Sequence, residues 1–362
     1  MKHSRIAVIG LAVILAVVFL APAAVKVAEA KDFKLTIAAG HPAGAAVWIN
    51  RLRDFFVPEV TKRAAAAGHK VEFNQAYGGA VAKIGFVLEA VESGTADMGL
   101  IGTVFEPTKL YMHNFCYYVP FGTSDVIQNT KLSLKLYEQI PWLSEMMEKN
   151  YNQKRLAIGT CASYDLLTKF PIRKIEDLKG HKITAAGPNL PWVECVGGVP
   201  VQGNLTEWYT GLQTGVYEGC MAFPDSFVGF KFFEQAKYYS AVGFGSVHVL
   251  VICMNLDVFK SLPPELQKIF LEVGSEYPMD LAQATVVKAK ESLEIMKKAG
   301  VDMYEFPNEE RAKWANLMPD FANQAVEKAK SMGIPEPDKI LRTWVELQEQ
   351  DGYKWPRKWV IK

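Results

Sequence analysis

From Lys34 onward, short runs with an apolar side chain at every second residue alternate with longer stretches in which apolar residues recur every three to four. That alternation constrains the fold more than any other feature, because a period of two is a half-buried strand and a period near 3.6 is a helix with one apolar face. Residues 34–39 read as a strand, 47–66 as an amphipathic helix and 71–77 as a second strand. Gly78 and Gly79 break that strand, a helix runs over about 83–93, and 98–102 is a short apolar strand. Strands separated by helices specify an α/β fold with a largely parallel sheet. Ligands of such sheets sit beyond the carboxyl ends of the strands, so the loops after Ala39, Tyr77 and Gly102 are where a site is expected.

The pattern restarts near residues 156–159, with a strand at 182–186, a helix from about Pro191 and another from about Thr206 to Gly215. Ser93-Gly94-Thr95-Ala96-Asp97 in the first half is echoed by Thr214-Gly215-Val216-Tyr217-Glu218 in the second. Each echo is a helix ended by a glycine, where a positive φ is required, followed by an acidic residue opening a strand. Its equivalent place in both halves favours two lobes over one large sheet. In the helical last third, Ala282, Val286, Ala289, Leu293 and Met296 share one face and read as a core-facing seam. A second helical stretch over about 309–332 is interrupted by Pro319, and the tail carries Trp344, Trp355 and Trp359 as a clasp over the lobes.

Composition narrows the function. Among 362 residues, 40 Lys and Arg stand against 39 Asp and Glu, so there is no basic excess for a nucleic-acid backbone or an acidic membrane surface. Lys2, His3 and Arg5 precede an apolar run at 6–21, and Ala28-Glu29-Ala30 supplies small residues at a cleavage step. This is a secretory leader cleaved after Ala30, with an uncleaved anchor as the rival reading. Pro22 favours cleavage, and the mature chain is expected in the periplasm. The five cysteines, at 116, 161, 195, 220 and 253, show no metal spacing. They read as buried inert thiols, with a single disulfide as the alternative.

No catalytic signature is present: no nucleophile elbow, no H-E-x-x-H pair, no phosphate loop and no dinucleotide fingerprint. His41, His69, His113, His181 and His248 are isolated, so neither a metal nor a cofactor is expected. Cys161 with a distant His41 or His248 could be written as nucleophile and base, which keeps an exported cysteine hydrolase as a competitor from another class.

The run Pro171-Ile172, Ile175-Glu176-Asp177-Leu178-Lys179-Gly180 and Lys182-Ile183 is followed by Gly198, Pro200, Glu207, Tyr209 and Leu212-Gln213-Thr214-Gly215-Val216. With Tyr77-Gly78-Gly79, Leu88-Glu89-Ala90-Val91, Asp97-Met98-Gly99 and Leu262-Pro263-Pro264-Glu265, it resembles the extracytoplasmic solute receptors of tripartite ATP-independent periplasmic (TRAP) transporters. The resemblance implies two α/β lobes joined by hinge strands and a long connecting helix. It implies a monomer that is not an enzyme, closes on one small organic solute and delivers it to membrane permease subunits. Placed on this chain, residues 1–30 are the leader, 31–159 with about 250–295 the first lobe, 160–249 with about 296–335 the second, and 336–362 the clasp. One position departs from the family pattern: where relatives carry a carboxylate-clamping arginine, this sequence has Thr184, and the strand-loop region over 161–164 lacks an arginine too. A hydroxyl cannot replace a bidentate guanidinium.

The rim residues expected at the strand ends are His41, Trp48, Tyr77, Thr103, Phe105 and Glu106 from the first lobe. From the second come Ser163, Thr184, Asn189, Trp208, Tyr209, Phe223 and Asp225. Aromatics with a few polar groups make the usual small-molecule site, with a plain core position as the alternative for each aromatic. The expected solute is an organic acid or a polar, aromatic-bearing compound. An inward Glu106 or Asp225 would instead favour a cationic amine.

Overall fold

The computed structural model describes residues 32–362, so the leader reading lies outside the described residues. Eleven strands, numbered in chain order, form two sheets. They are β1 (Asp32–Ala39), β2 (Lys70–Ala76), β3 (Met98–Gly102), β4 (Gln153–Thr160), β5 (Asp165–Thr168), β6 (Lys182–Ala185), β7 (Val199–Gln202), β8 (Gly219–Ala222), β9 (Tyr238–Ala241), β10 (His248–Asn255) and β11 (Asp302–Glu305). The first sheet has the order β2-β1-β3-β10-β4 and the second β11-β9-β5-β8-β6-β7. The fold is α/β and two-lobed.

The sheets are mixed rather than largely parallel. β1, β2 and β3 run parallel, but β10 is antiparallel to both β3 and β4. The cause is the route of the chain. It leaves the first sheet at the end of β4 and returns from the second at the start of β10, so it re-enters at the same end of the sheet and runs the opposite way. β5 and β9, at the same crossing, are antiparallel for the same reason.

The echo seen in the sequence is one device used twice. Gly94 and Gly215 end their helices at φ 75° and φ 78°. Asp97 N donates to Thr36 O at 3.0 Å and its carboxylate accepts from Thr36 N at 2.7 Å. Glu218 N donates to Lys182 O at 2.8 Å and its carboxylate accepts from Lys182 N at 3.3 Å. Each acid therefore fixes the register of a parallel strand pair, β1 with β3 and β6 with β8.

A 35-residue helix, Pro264–Lys298, packs on β4 and on the helix Pro224–Gly229, then leads into β11. Gly274 lets it lie directly on the strand: a Cβ there would stand 2.3 Å from Leu156 O. Arg51 Nε and Nη2 donate to Asp280 at 2.6 and 2.8 Å, and Tyr277 Oη donates to Trp48 O at 2.8 Å. Its buried seam differs from the one expected. Ala282 and Met296 are buried, but Val286 is 42% exposed, and the line passes through Thr285 and Ser292. An apolar pattern skips these small hydroxyl residues, which suit a close approach.

The tail ties the molecule together near the crossings. Trp344 is buried 4.9 Å from the Phe115 ring in the helix Pro337–Gln350. Tyr353 Oη donates to Phe121 O at 2.6 Å and accepts from Arg311 Nη2 at 3.0 Å. Arg311 Nε donates in turn to Gly243 O at 3.0 Å. All five cysteines are free thiols, four of them buried. Among the described residues, no helix is long and apolar enough to cross a membrane, and no three His, Cys, Asp or Glu cluster to hold a metal.

Candidate ligand-binding site

A partly open cavity lies between the two sheets. It sits where both sheets point their carboxyl ends. His41 follows β1, Gly102, Val104 and Phe105 lie at and beyond the end of β3, and Leu100 is within it. From the second sheet come Ala186 after β6, Gly203, Asn204 and Leu205 after β7, and Ala222 and Phe223 at the end of β8. Tyr164 from the first crossing and Val249 and Leu250 from β10 close the back.

The walls are aromatic and meet across the cleft. His41 lies edge-on to Trp48 at 5.4 Å and tilted to Phe105 at 5.8 Å. Trp48 meets Phe223 of the second sheet at 5.7 Å, and Phe223 meets Tyr164 at 5.3 Å. Gly229 packs so tightly on the loop after β1 that a Cβ would lie 2.0 Å from Ala45 O. Burial lowers the His41 pKa to about 4, so the imidazole is neutral at pH 7.

Several polar atoms in and around these walls have no partner. Trp208 sits on the inner face of the helix Leu205–Thr214, 2% exposed, and its Nε1 has no partner. Thr184, fully buried in β6, has a free Oγ1. Both converge on one glycine: a Cβ on Gly203 would lie 2.7 Å from Trp208 Nε1 and 3.0 Å from Thr184 Oγ1. His41 Nε2, Thr103 Oγ1 and Asn189 Oδ1 are likewise buried without a partner.

No charged side chain lines the cavity. Of the eight arginines among the described residues, Arg51, Arg53, Arg63, Arg173 and Arg342 pair with carboxylates. Arg155 donates to Ser144 Oγ, and Arg311 and Arg357 donate to backbone carbonyls.

The expected site residues divide accordingly. His41, Trp48, Phe105, Trp208 and Phe223 are brought together in the walls, with Thr184 beside them. Glu106 borders a narrower recess shared with His41 and Phe105, and burial, reinforced by Glu89, raises its carboxyl to about 7. Asp225 is buried at the start of its helix with Oδ1 unpartnered and raised by burial to about 7, but it is not a wall residue. Asn189 donates weakly to Met221 Sδ at 3.6 Å, and Tyr77 is half-buried with a free hydroxyl. Ser163 belongs to the crossing, where its Oγ meets Ser124 Oγ at 3.1 Å and accepts from Gly245 N at 3.2 Å. Tyr209 points away, donating to Glu234 at 2.9 Å and accepting from Gln235 at 2.9 Å. Cys161 is fully buried, and burial, with Asp225 adding, raises its pKa well above the ordinary range, which keeps it a protonated thiol. Sequence reasoning missed Tyr164, Ala186, Gly203, Asn204 and Leu205. The segment Gly203-Asn204 carried a usable signal, a glycine before a helix-capping residue.

Residues 65–329 match the sequence model of the bacterial extracellular solute-binding proteins, family 7. A solute-binding protein of Sulfitobacter sp. strain NAS-14.1 is 33% identical over 114 residues, 31% of this chain and 34% of that protein. The chain aligns with less than half the length of the curated relatives it matches. Among solved structures, a TRAP periplasmic solute-binding protein from Desulfovibrio salexigens superposes with a TM-score of 0.74 at 22% identity, covering 89% of this chain and 97% of that one. A TRAP solute-binding protein from Rhodoferax ferrireducens in complex with copurified benzoate superposes with a TM-score of 0.77 at 16% identity, covering 88% and 98%. At such identities the likeness is one of fold.

Proposed function

Since the chain belongs to family 7 of the bacterial extracellular solute-binding proteins, we propose that it is the periplasmic receptor of a TRAP transporter. It captures one small organic solute between its lobes and hands it to membrane permease subunits. The carrying observation is the uncharged aromatic cavity walled from both sheets at their strand ends. A solute there touches His41 and Trp48 on one side and Trp208 and Phe223 on the other, so it stabilises the closed arrangement more than the open one. The leader expected at residues 1–30 supports export. The buried, protonated Cys161 offers no support for covalent chemistry.

Small-angle scattering of the purified protein against a library of organic acids, amides, alcohols and amines tests this. The expected result is a smaller radius of gyration and a raised melting temperature with at least one compound class. A protein that neither closes nor gains stability with any of them overturns the reading.

A further inference from the structure

The polar chemistry of the cavity is unusual for one that would hold an anion. No cation lines it, every described arginine is engaged elsewhere, and His41 is held neutral by burial. The helix Leu205–Thr214 points its first turn toward the cavity, but Asn204 Oδ1 already accepts from Thr206 N at 3.0 Å. A carboxylate moved from water into such a space loses its hydration with no counter-charge to offset the loss. What the cavity offers instead is hydrogen-bond donors. Trp208 Nε1 can only donate, Thr184 Oγ1 can donate or accept, and neither has a partner. Gly203 stands directly against both: a Cβ there would lie 2.7 Å from Trp208 Nε1 and 3.0 Å from Thr184 Oγ1. Trp48, Phe105, Tyr164 and Phe223 present flat apolar faces and edges around this point.

We infer that the ligand is an uncharged, flat, single-ring compound with a carbonyl-type oxygen acceptor, such as an aromatic amide, received by Trp208 Nε1 and Thr184 Oγ1. This rests on the solute-binding reading above and narrows its substrate class. Gly203 is then a specificity-determining position, because a side chain there plugs the subsite that the two donors address.

Matched acid and amide pairs isolate the charge at nearly constant shape. Titration calorimetry at pH 7.5 is run with benzamide against benzoate and nicotinamide against nicotinate. The expected result is that each amide binds at least about tenfold tighter than its acid. Trp208→Phe and Thr184→Val each weaken amide binding about five- to tenfold. Gly203→Ala abolishes amide binding. Far-UV circular dichroism checks that each variant is folded, and Trp208→Phe and Thr184→Val keep shape well enough to carry the test alone.

Tighter binding of the acids overturns the inference while leaving the solute-binding reading intact. So does acid binding that strengthens as pH falls and is lost in His41→Gln, which would make the imidazole the counter-ion. If neither series binds and native mass spectrometry of freshly purified protein detects no retained small molecule, both the inference and the reading fall.

Discussion

Three buried carboxyls weaken the fold as the pH rises. Glu106, Asp165 and Asp225 are buried, and burial raises each to about 7. Asp165 is raised although Tyr239 Oη donates to it at 2.6 Å and Gly243 N at 2.8 Å. An acid with a folded-state pKa above its unfolded value holds a proton that the unfolded chain releases. Its contribution is complete below about pH 4 and is lost as the pH rises through about 7. Asp225 is the one of the three with a carboxylate oxygen, Oδ1, buried and unpartnered. Asp225→Asn should match the wild type near pH 4 and exceed its stability by roughly 2–4 kcal/mol at pH 8, measured by urea unfolding. A gap that stays constant with pH would count against this account. At this scale the sequence exposed large site residues better than small ones. Trp208 and Phe223 could be picked by type and place, whereas Gly203 acts through the side chain it lacks. Tyr164 was missed by a single residue: Ser163 and Tyr164 are neighbours on the crossing, but only Tyr164 lines the cavity.

The long helix Pro264–Lys298 lies on β4. At Gly274 two effects oppose each other. Alanine is the better helix former by about 1 kcal/mol, yet a Cβ there would lie 2.3 Å from Leu156 O, and overpacking of this kind costs about 1–3 kcal/mol. Gly274→Ala should therefore lower stability by about 1–2 kcal/mol in thermal or urea unfolding, and a stabilised variant would show that the helix can lift from β4 freely. The helices Val126–Gln139 and Trp142–Tyr151 went unread, whereas the strands at 34–39, 71–77, 98–102 and 182–186 and the two glycine-ended helices were readable, because their periods and caps are local. The four-residue strands β5, β7, β9 and β11 were not, since so short a run carries almost no period-two signal. β7 also contains Pro200, which a strand tolerates at a sheet edge, where β7 lies. The antiparallel placement of β10 had no local signature, because it follows from where the chain crosses.

Across the whole molecule, the lobes approach one another at Gly229 and Ala45. Gly229→Ala places a methyl where the Ala45 carbonyl oxygen now sits, so the lobes must stay apart. Scattering should show a larger radius of gyration than the wild type and no contraction when solute is added, with affinity reduced at least about tenfold. An unchanged radius would mean that the loop after β1 yields instead of the lobes. The position of β10 has a further consequence, for the birth of the protein. It is the strand that joins β3 to β4, yet the second sheet's strands β5–β9 all precede it in the chain. Until residue 255 has been synthesised, β4 has no neighbour to pair with, and the first sheet lacks one of its inner strands. A nascent chain with so late a keystone stays without its complete hydrogen-bonded core for most of its synthesis.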